Sequence, residues 1–172
     1  MELIREIYDI DIDKNSERIA DKFYEIRKAS RAVIFNENEK IALLFVSKKH
    51  YHKLPGGGVE ENESLTGTLI REVLEEVGCK ISIEKELGVI VECKNKHEKI
   101  QFSYCYICKQ VGDLENTSYT ENEMSQGFEL LWVKIDEAIK ILENDIPLDY
   151  AGKFIRERDL TFLRYLRDKE LK

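Results

Sequence analysis

The chain has 172 residues, 42% of them hydrophobic and 35% charged, and a formal net charge of -7. That length suits one domain over residues 1–172 with a sizeable core, and is too short for two. The negative balance argues against unspecific association with nucleic acid or an anionic membrane, so no DNA is expected as a partner. Anionic small molecules stay open, because divalent cations reverse the local sign of an acidic site. No apolar run is long enough to cross a bilayer, and residues 1–13 lack the apolar stretch of a signal peptide, so a cytoplasmic protein is expected.

In chain order, residues 3–12 alternate enough for a strand, while 17–27 suit a helix or extended chain equally well. Residues 1–28 therefore read as an N-terminal extension. The apolar runs 32–35 and 41–46, separated by five polar residues, predict a hairpin. A loop over 47–62 carries Pro55, Gly56, Gly57 and Gly58. A helix follows, with Ser64 as its N-cap and Gly78 placed to end it. Strands are expected at about 81–93, 101–111 and 128–133, with a polar loop at 117–126. Asp136 is expected to cap a short helix running to Leu142. The tail, 150–171, sets Phe154, Ile155, Phe162, Leu163 and Leu166 among charges, the pattern of an amphipathic helix packed on the rest. The elements together predict an α/β fold with helices on both faces of a mixed β-sheet.

Four cysteines stand at 79, 93, 105 and 108. Cys105 and Cys108 have the spacing of a redox or zinc pair, but they lie in a predicted strand. Positions an odd number apart on a strand point to opposite faces, and no second pair completes a zinc set. Buried free thiols are expected.

The segment 54–79 carries the chemistry. Glu72, Glu75 and Glu76 are related as i, i+3 and i+4 and share one helical face. Leu69, Ile70, Val73, Leu74 and Val77 fall roughly opposite, where they are expected to pack on the sheet. Carboxylates gathered on one face repel one another, which calls for a cation, and oxygen ligands suit Mg²⁺ or Mn²⁺ better than zinc. The glycine run before the helix lets the backbone approach a ligand closely. A solvated acidic helix face is the plainer reading of the glutamates alone.

The segment from Gly57 to Cys79 resembles the Nudix box, G-x5-E-x7-R-E-U-x-E-E-x-G-U, where U is a bulky aliphatic residue. Gly57, Glu63, Arg71, Glu72, Val73, Glu75, Glu76 and Gly78 occupy the specified positions, and only Cys79 departs, as a small hydrophobe in an aliphatic place. The resemblance implies a Nudix-like α/β/α sandwich. It also implies a pyrophosphohydrolase that cuts a diphosphate linkage in a nucleoside diphosphate-X compound. Glu72, Glu75, Glu76 and the Gly56 carbonyl would hold the metal, Arg71 would orient the carboxylates, and Glu63 would fix the loop to the helix. Water would attack phosphorus, with Glu72 or a later glutamate as its base. Glu121, Glu123 and Glu129 are the later candidates, Glu123 being preferred because its polar loop could close over the site. Gly57, Gly58 and Lys53 are the expected substrate contacts. Lys48, Lys49, His50, Tyr51 and His52 nearby read equally well as solvated loop.

Prolines and tyrosines that mark several subfamilies downstream of the box are missing, which leaves nucleoside triphosphates, oxidised ones included, as the expected substrates. An RNA 5′-end pyrophosphohydrolase and a catalytically inactive nucleotide sensor are the alternatives. Family members are often homodimers, so a homodimer is also expected.

Overall fold

In the computed structural model, residues 1–16 and 23–170 are described. Part of the ambiguous stretch 17–27, and Leu171 of the tail, lie outside the described residues. The elements in order are β1 (Leu3–Tyr8), a helical turn α1 (Asp9–Ile12), β2 (Glu25–Phe35), β3 (Ile41–Val46), β4 (Tyr51–Lys53) and α2 (Leu65–Val77). Then come β5 (Lys80–Lys94), β6 (Lys99–Val111), α3 (Glu121–Gln126), β7 (Phe128–Val133), α4 (Ile135–Asn144) and α5 (Tyr150–Glu170). The seven strands form one mixed sheet in the order β1-β5-β6-β2-β3-β4, with β7 paired to β3. β1 runs parallel to β5 and β2 parallel to β6, while the remaining pairs are antiparallel.

The β2–β3 turn is built by Asn36, whose side chain accepts the N–H groups of Asn38 and Lys40, each at 3.0 Å. This local bonding is why a polar run between apolar ones turns rather than continues. Beyond the turn, β2 and β3 register at Phe35 and Ile41 and then separate. The glycine-rich segment fills the gap along β2: Ser30, Ala32 and Lys28 exchange backbone bonds with Gly57, Pro55 and Val59, each at 3.0 Å.

Helices cover both faces, as the pattern predicted. On one face Leu69, Val73 and Val77 of α2 pack with Ala32, Ile34, Ala42, Tyr106 and Cys108. On the other, Ala138 and Leu142 of α4 and Phe154, Phe162 and Leu163 of α5 cover Val33, Leu43, Ile90 and Cys105. Cys105 and Cys108 are thus buried on opposite faces, as the odd spacing predicts, and both are free thiols.

Several expectations need correction. β2 begins at Glu25, well before residue 32, because parallel pairing to β6 holds its charged first half. The stretch read as an N-terminal extension is partly woven in. β1 joins the sheet edge, and the buried Asp9 accepts from the Asn95 amide at 3.0 Å and the Tyr150 hydroxyl at 2.8 Å. The loop 47–62 contains the short β4, and 121–126 is helix α3 rather than loop. Lys134, not Asp136, precedes α4, and Asp136 sits in its first turn, where a negative charge favours the helix dipole. Ile70 and Leu74 are exposed, at 51% and 39%. The sheet touches a narrower stripe of α2 than its apolar residues span, and Glu76 takes a buried position on that stripe.

Candidate active site on the glycine loop and helix α2

Helix α2 starts where expected. Ser64 Oγ accepts the Gly67 N–H at 3.0 Å, and the Ser30 hydroxyl of β2 donates to the Leu65 carbonyl at 2.6 Å. The helix ends at Gly78 in the left-handed conformation. Glu115 and Ser118 donate their amides to the carbonyls of Gly78 at 2.6 Å and Glu75 at 2.8 Å, strapping the following segment to the last turn.

The loop lies against this helix so closely that side chains are excluded. Gly56 has φ of 129°, outside the range of ordinary residues, and a Cβ there would strike the Ser30 carbonyl. A Cβ on Gly57 would overlap the carboxylate of Glu72. At Gly58 a Cβ would meet only the Arg27 guanidinium, which can move. Two carboxylates tether the segment leading in: Asp159 of α5 accepts the Leu54 amide at 2.9 Å, and Glu76 of α2 accepts the Gly56 amide at 2.7 Å.

Arg71 organises the acidic face. Its Nε and Nη2 donate to both oxygens of Glu63 at 2.9 and 3.0 Å, and its Nη1 donates to Glu72 at 2.9 Å and Glu75 at 3.3 Å. Thr68 also donates to Glu63, at 2.7 Å. The Arg71 and Thr68 hydrogen bonds hold the Glu63 carboxyl down at about 2, and the bond to Glu63 in turn raises Arg71. Exposure grades along the three box carboxylates: 35% for the Glu75 side chain, 13% for Glu72 and 1% for Glu76. Burial pushes the Glu76 carboxyl up, against the attraction of Lys53, whose Nζ lies 2.7 Å from Glu76 Oε1. Lys53 Nζ also sits 5.0 Å over the ring of Phe128, which meets Tyr119 edge-on at 5.8 Å.

The expected residues therefore converge in one place: the backbone of Gly56, Gly57 and Gly58, with Lys53, Arg71, Glu72, Glu75 and Glu76. Oxygens of hard carboxylate type beside a glycine backbone in which Gly56 tolerates no Cβ fit Mg²⁺ or Mn²⁺. Among the described residues no three His, Cys, Asp or Glu side chains close around one point, since Arg71 and Lys53 draw the carboxylates to themselves.

Burial raises the Tyr119 phenol, and Glu76 and Glu123 add to the effect. The Glu123 carboxylate is turned back to cap α3, accepting the Thr120 amide at 2.8 Å and hydroxyl at 2.9 Å. Glu121 is exposed in the same turn. Glu129 follows Phe128 on β7 and so points to the face away from Lys53.

A second cluster adjoins the site and has no counterpart among the expected residues. Arg158 donates to both oxygens of Asp159 at 2.7 and 2.9 Å and lies 3.5 Å from Glu92, which pairs with Lys94 at 2.9 Å. All four are buried, and burial lowers nearby Arg31 to about 10. A signal existed, in charged residues at inward positions of α5 and β5, but nothing local showed what they would meet.

Comparison with known proteins agrees with this geometry. A family model described as NUDIX domain matches residues 25–154. Diphosphoinositol polyphosphate phosphohydrolase 2 of Mus musculus is 30% identical over 125 residues, which cover 71% of this chain and 66% of that protein. The chain thus spans less than two thirds of that relative's length. Diphosphoinositol polyphosphate phosphohydrolase 3-beta of Homo sapiens is likewise 30% identical, over 71% of this chain and 73% of its own. Among solved structures, the MutT protein from Methanosarcina mazei Go1 superposes with a TM-score of 0.59 at 22% identity, over 86% of this chain and 97% of that one. With the box in place and the family model spanning most of the sheet and both helical faces, the chain belongs to the NUDIX domain family.

Proposed function

We propose that this protein is a divalent-metal-dependent hydrolase that cleaves a diphosphate linkage, with a nucleoside triphosphate, oxidised forms included, as its substrate. The observation that supports it most is the close approach of Gly57 to the Glu72 carboxylate, beside Gly56, where no Cβ fits, and Glu76. Glu72, Glu75, Glu76 and the Gly56 carbonyl would hold the ion. A bound Mg²⁺ or Mn²⁺ supplies neutralisation of the diphosphate oxygens and acidification of a water. Arg71 keeps Glu72 and Glu75 oriented, and Glu63 keeps Arg71 in place. Glu72, facing the glycine loop, takes the proton from the attacking water, with Glu123 as the alternative if its cap opens. Phe128 and Tyr119 beside Lys53 offer an aromatic wall for a base, and Lys53 a charge for a phosphate.

A second reading, a diphosphoinositol polyphosphate as substrate, is favoured by the names of the relatives. The deciding experiment offers both classes, together with 5′-triphosphorylated RNA, in the presence of Mg²⁺ or Mn²⁺ in oxygen-18 water. Nucleoside triphosphate hydrolysis, with label in one phosphate product and no phosphoryl-enzyme, is the expected result. Turnover of the inositol compound alone would replace the substrate, and a trapped covalent intermediate would overturn the mechanism.

A further inference from the structure

Both oxygens of Glu76 are engaged: Oε2 accepts the Gly56 amide at 2.7 Å, and Oε1 faces Lys53 Nζ at 2.7 Å. A carboxylate with 1% exposure needs a positive partner, and here that partner is a lysine whose side chain is only 12% exposed. The two protein cations at the box carboxylates differ in how firmly they are held. Arg71 is fixed by a two-point bond to Glu63 and by further contacts to Glu72 and Glu75. Lys53 makes one ion pair among the described residues, and its ammonium already lies 5.0 Å over the face of Phe128, a contact that does not depend on Glu76. Its backbone is anchored by pairing of β4 with Leu44, so only the flexible stem has to move.

We propose that Lys53 is a resident counter-ion that exchanges with the divalent cation at Glu76. Its ammonium neutralises Glu76 until the ion binds, then leaves Oε1, stays against Phe128 and becomes available to a substrate phosphate. The inference rests on Glu76 being a metal ligand. Exchange replaces one positive charge by two beside the box carboxylates. It also delivers the lysine to the phosphates only when the ion is in place, which orders the two binding events.

Mn²⁺ binding by the full chain, followed through the paramagnetic signal of the free ion, tests this with Lys53→Met, Lys53→Arg and Glu76→Gln. The Met variant, freed of the competitor, should bind Mn²⁺ about tenfold more tightly than wild type, while the Arg variant should show no gain. In the unsubstituted protein, mass spectrometry after brief acetylation should show Lys53 several-fold more reactive in excess Mg²⁺ than in excess chelator. That readout needs no variant to fold. If Glu76→Gln loses binding but the Met variant gains none and Lys53 reactivity does not change, the exchange is refuted while Glu76 stands as a ligand. If wild type and Glu76→Gln bind Mn²⁺ alike, or neither binds it, the underlying reading falls and the exchange with it.

Discussion

The molecule holds two neighbouring groups of charged side chains that differ in balance. Around α2, Glu63, Glu72, Glu75 and Glu76 are paired with Arg71 and Lys53 among the described residues, four carboxylates to two cations. Under α5, the carboxylates of Glu92 and Asp159 are fully matched by Lys94 and Arg158, with the guanidinium of Arg31 a third buried cation nearby. A closed set with no surplus of carboxylates has no use for an added ion and serves to hold helix to sheet. The unbalanced set borders a loop without side chains, where an added cation relieves repulsion. Proximity of charges alone does not make a site; surplus and access do.

The largest effect should come from the unbalanced set. Glu76→Gln keeps shape and removes charge, and kcat should fall by about a thousandfold with the circular dichroism spectrum unchanged. Glu72→Gln should lose a similar factor. Glu123→Gln retains a residue that completes the cap of α3, so any loss of rate there would report proton transfer rather than folding. Near-normal rates in both Glu72→Gln and Glu76→Gln would erase the contrast between the two groups.

Arg158→Ala probes the closed set. It leaves Asp159 without its ion-pair partner in the interior and Glu92 with Lys94 alone, and denaturant unfolding should show a loss of about 3–5 kcal/mol. Mn²⁺ affinity measured well below the melting temperature should stay within a small factor of wild type. A selective loss of ion binding without loss of stability would show that the two groups act as one.

The double variant Cys105→Ala, Cys108→Ala removes no charged side chain from either group. Stability should fall by about 1–3 kcal/mol from lost packing, with activity and metal content kept. Stoichiometric zinc that disappears in this variant would contradict the opposite-facing arrangement.

The smallest effect is a sharpening by pH. Burial would raise Glu92, but Arg158 and Lys94 outweigh it and hold the carboxyl at about 2. A carboxyl depressed in the folded state adds stability above its unfolded value, about 4, and loses that contribution as the pH falls through about 2. Glu76 has the opposite sign: being raised, it favours folding most below its unfolded value, and that advantage is lost as the pH rises through its folded one. Unfolding free energy should therefore drop between about pH 4 and 2 in wild type, and drop less in Glu92→Gln. An equal drop in both would remove Glu92 from the account.

What the sequence made legible was local. Ser64 and Gly78 bound their helix through contacts only a few residues long, and the fixed spacing of the box brings its glutamates to one helix. Cys105 and Cys108 were separable by strand periodicity alone. What stayed hidden depends on partners distant in the chain. The charged first half of β2 is a strand because β6 pairs with it, and β4 is too short for any period to show. Ile70 and Leu74 obey the helical pattern yet meet no sheet, while Glu76 breaks it and is buried by the loop that bonds to it. Arg158 and Asp159 read as surface charges until Leu54 and Glu92 are placed beside them.

The parallel pairing of β2 with β6 carries a consequence for synthesis. Residues 25–35 cannot find their sheet neighbour until residues 99–111 have left the ribosome, and the Leu54 amide waits for Asp159, 105 positions later. Pairing over such separations is slow compared with local hairpins, because the intervening chain must be closed into a loop first. The lead-in to the glycine segment at Leu54 is thus among the last parts of the nascent chain to be fastened, although Gly56 and Gly57 have partners in Glu76 and Ser30 that are made earlier. Shortening the message before the codons of α5 should release a chain in which the backbone around Leu54 is more open to proteases than in the full protein.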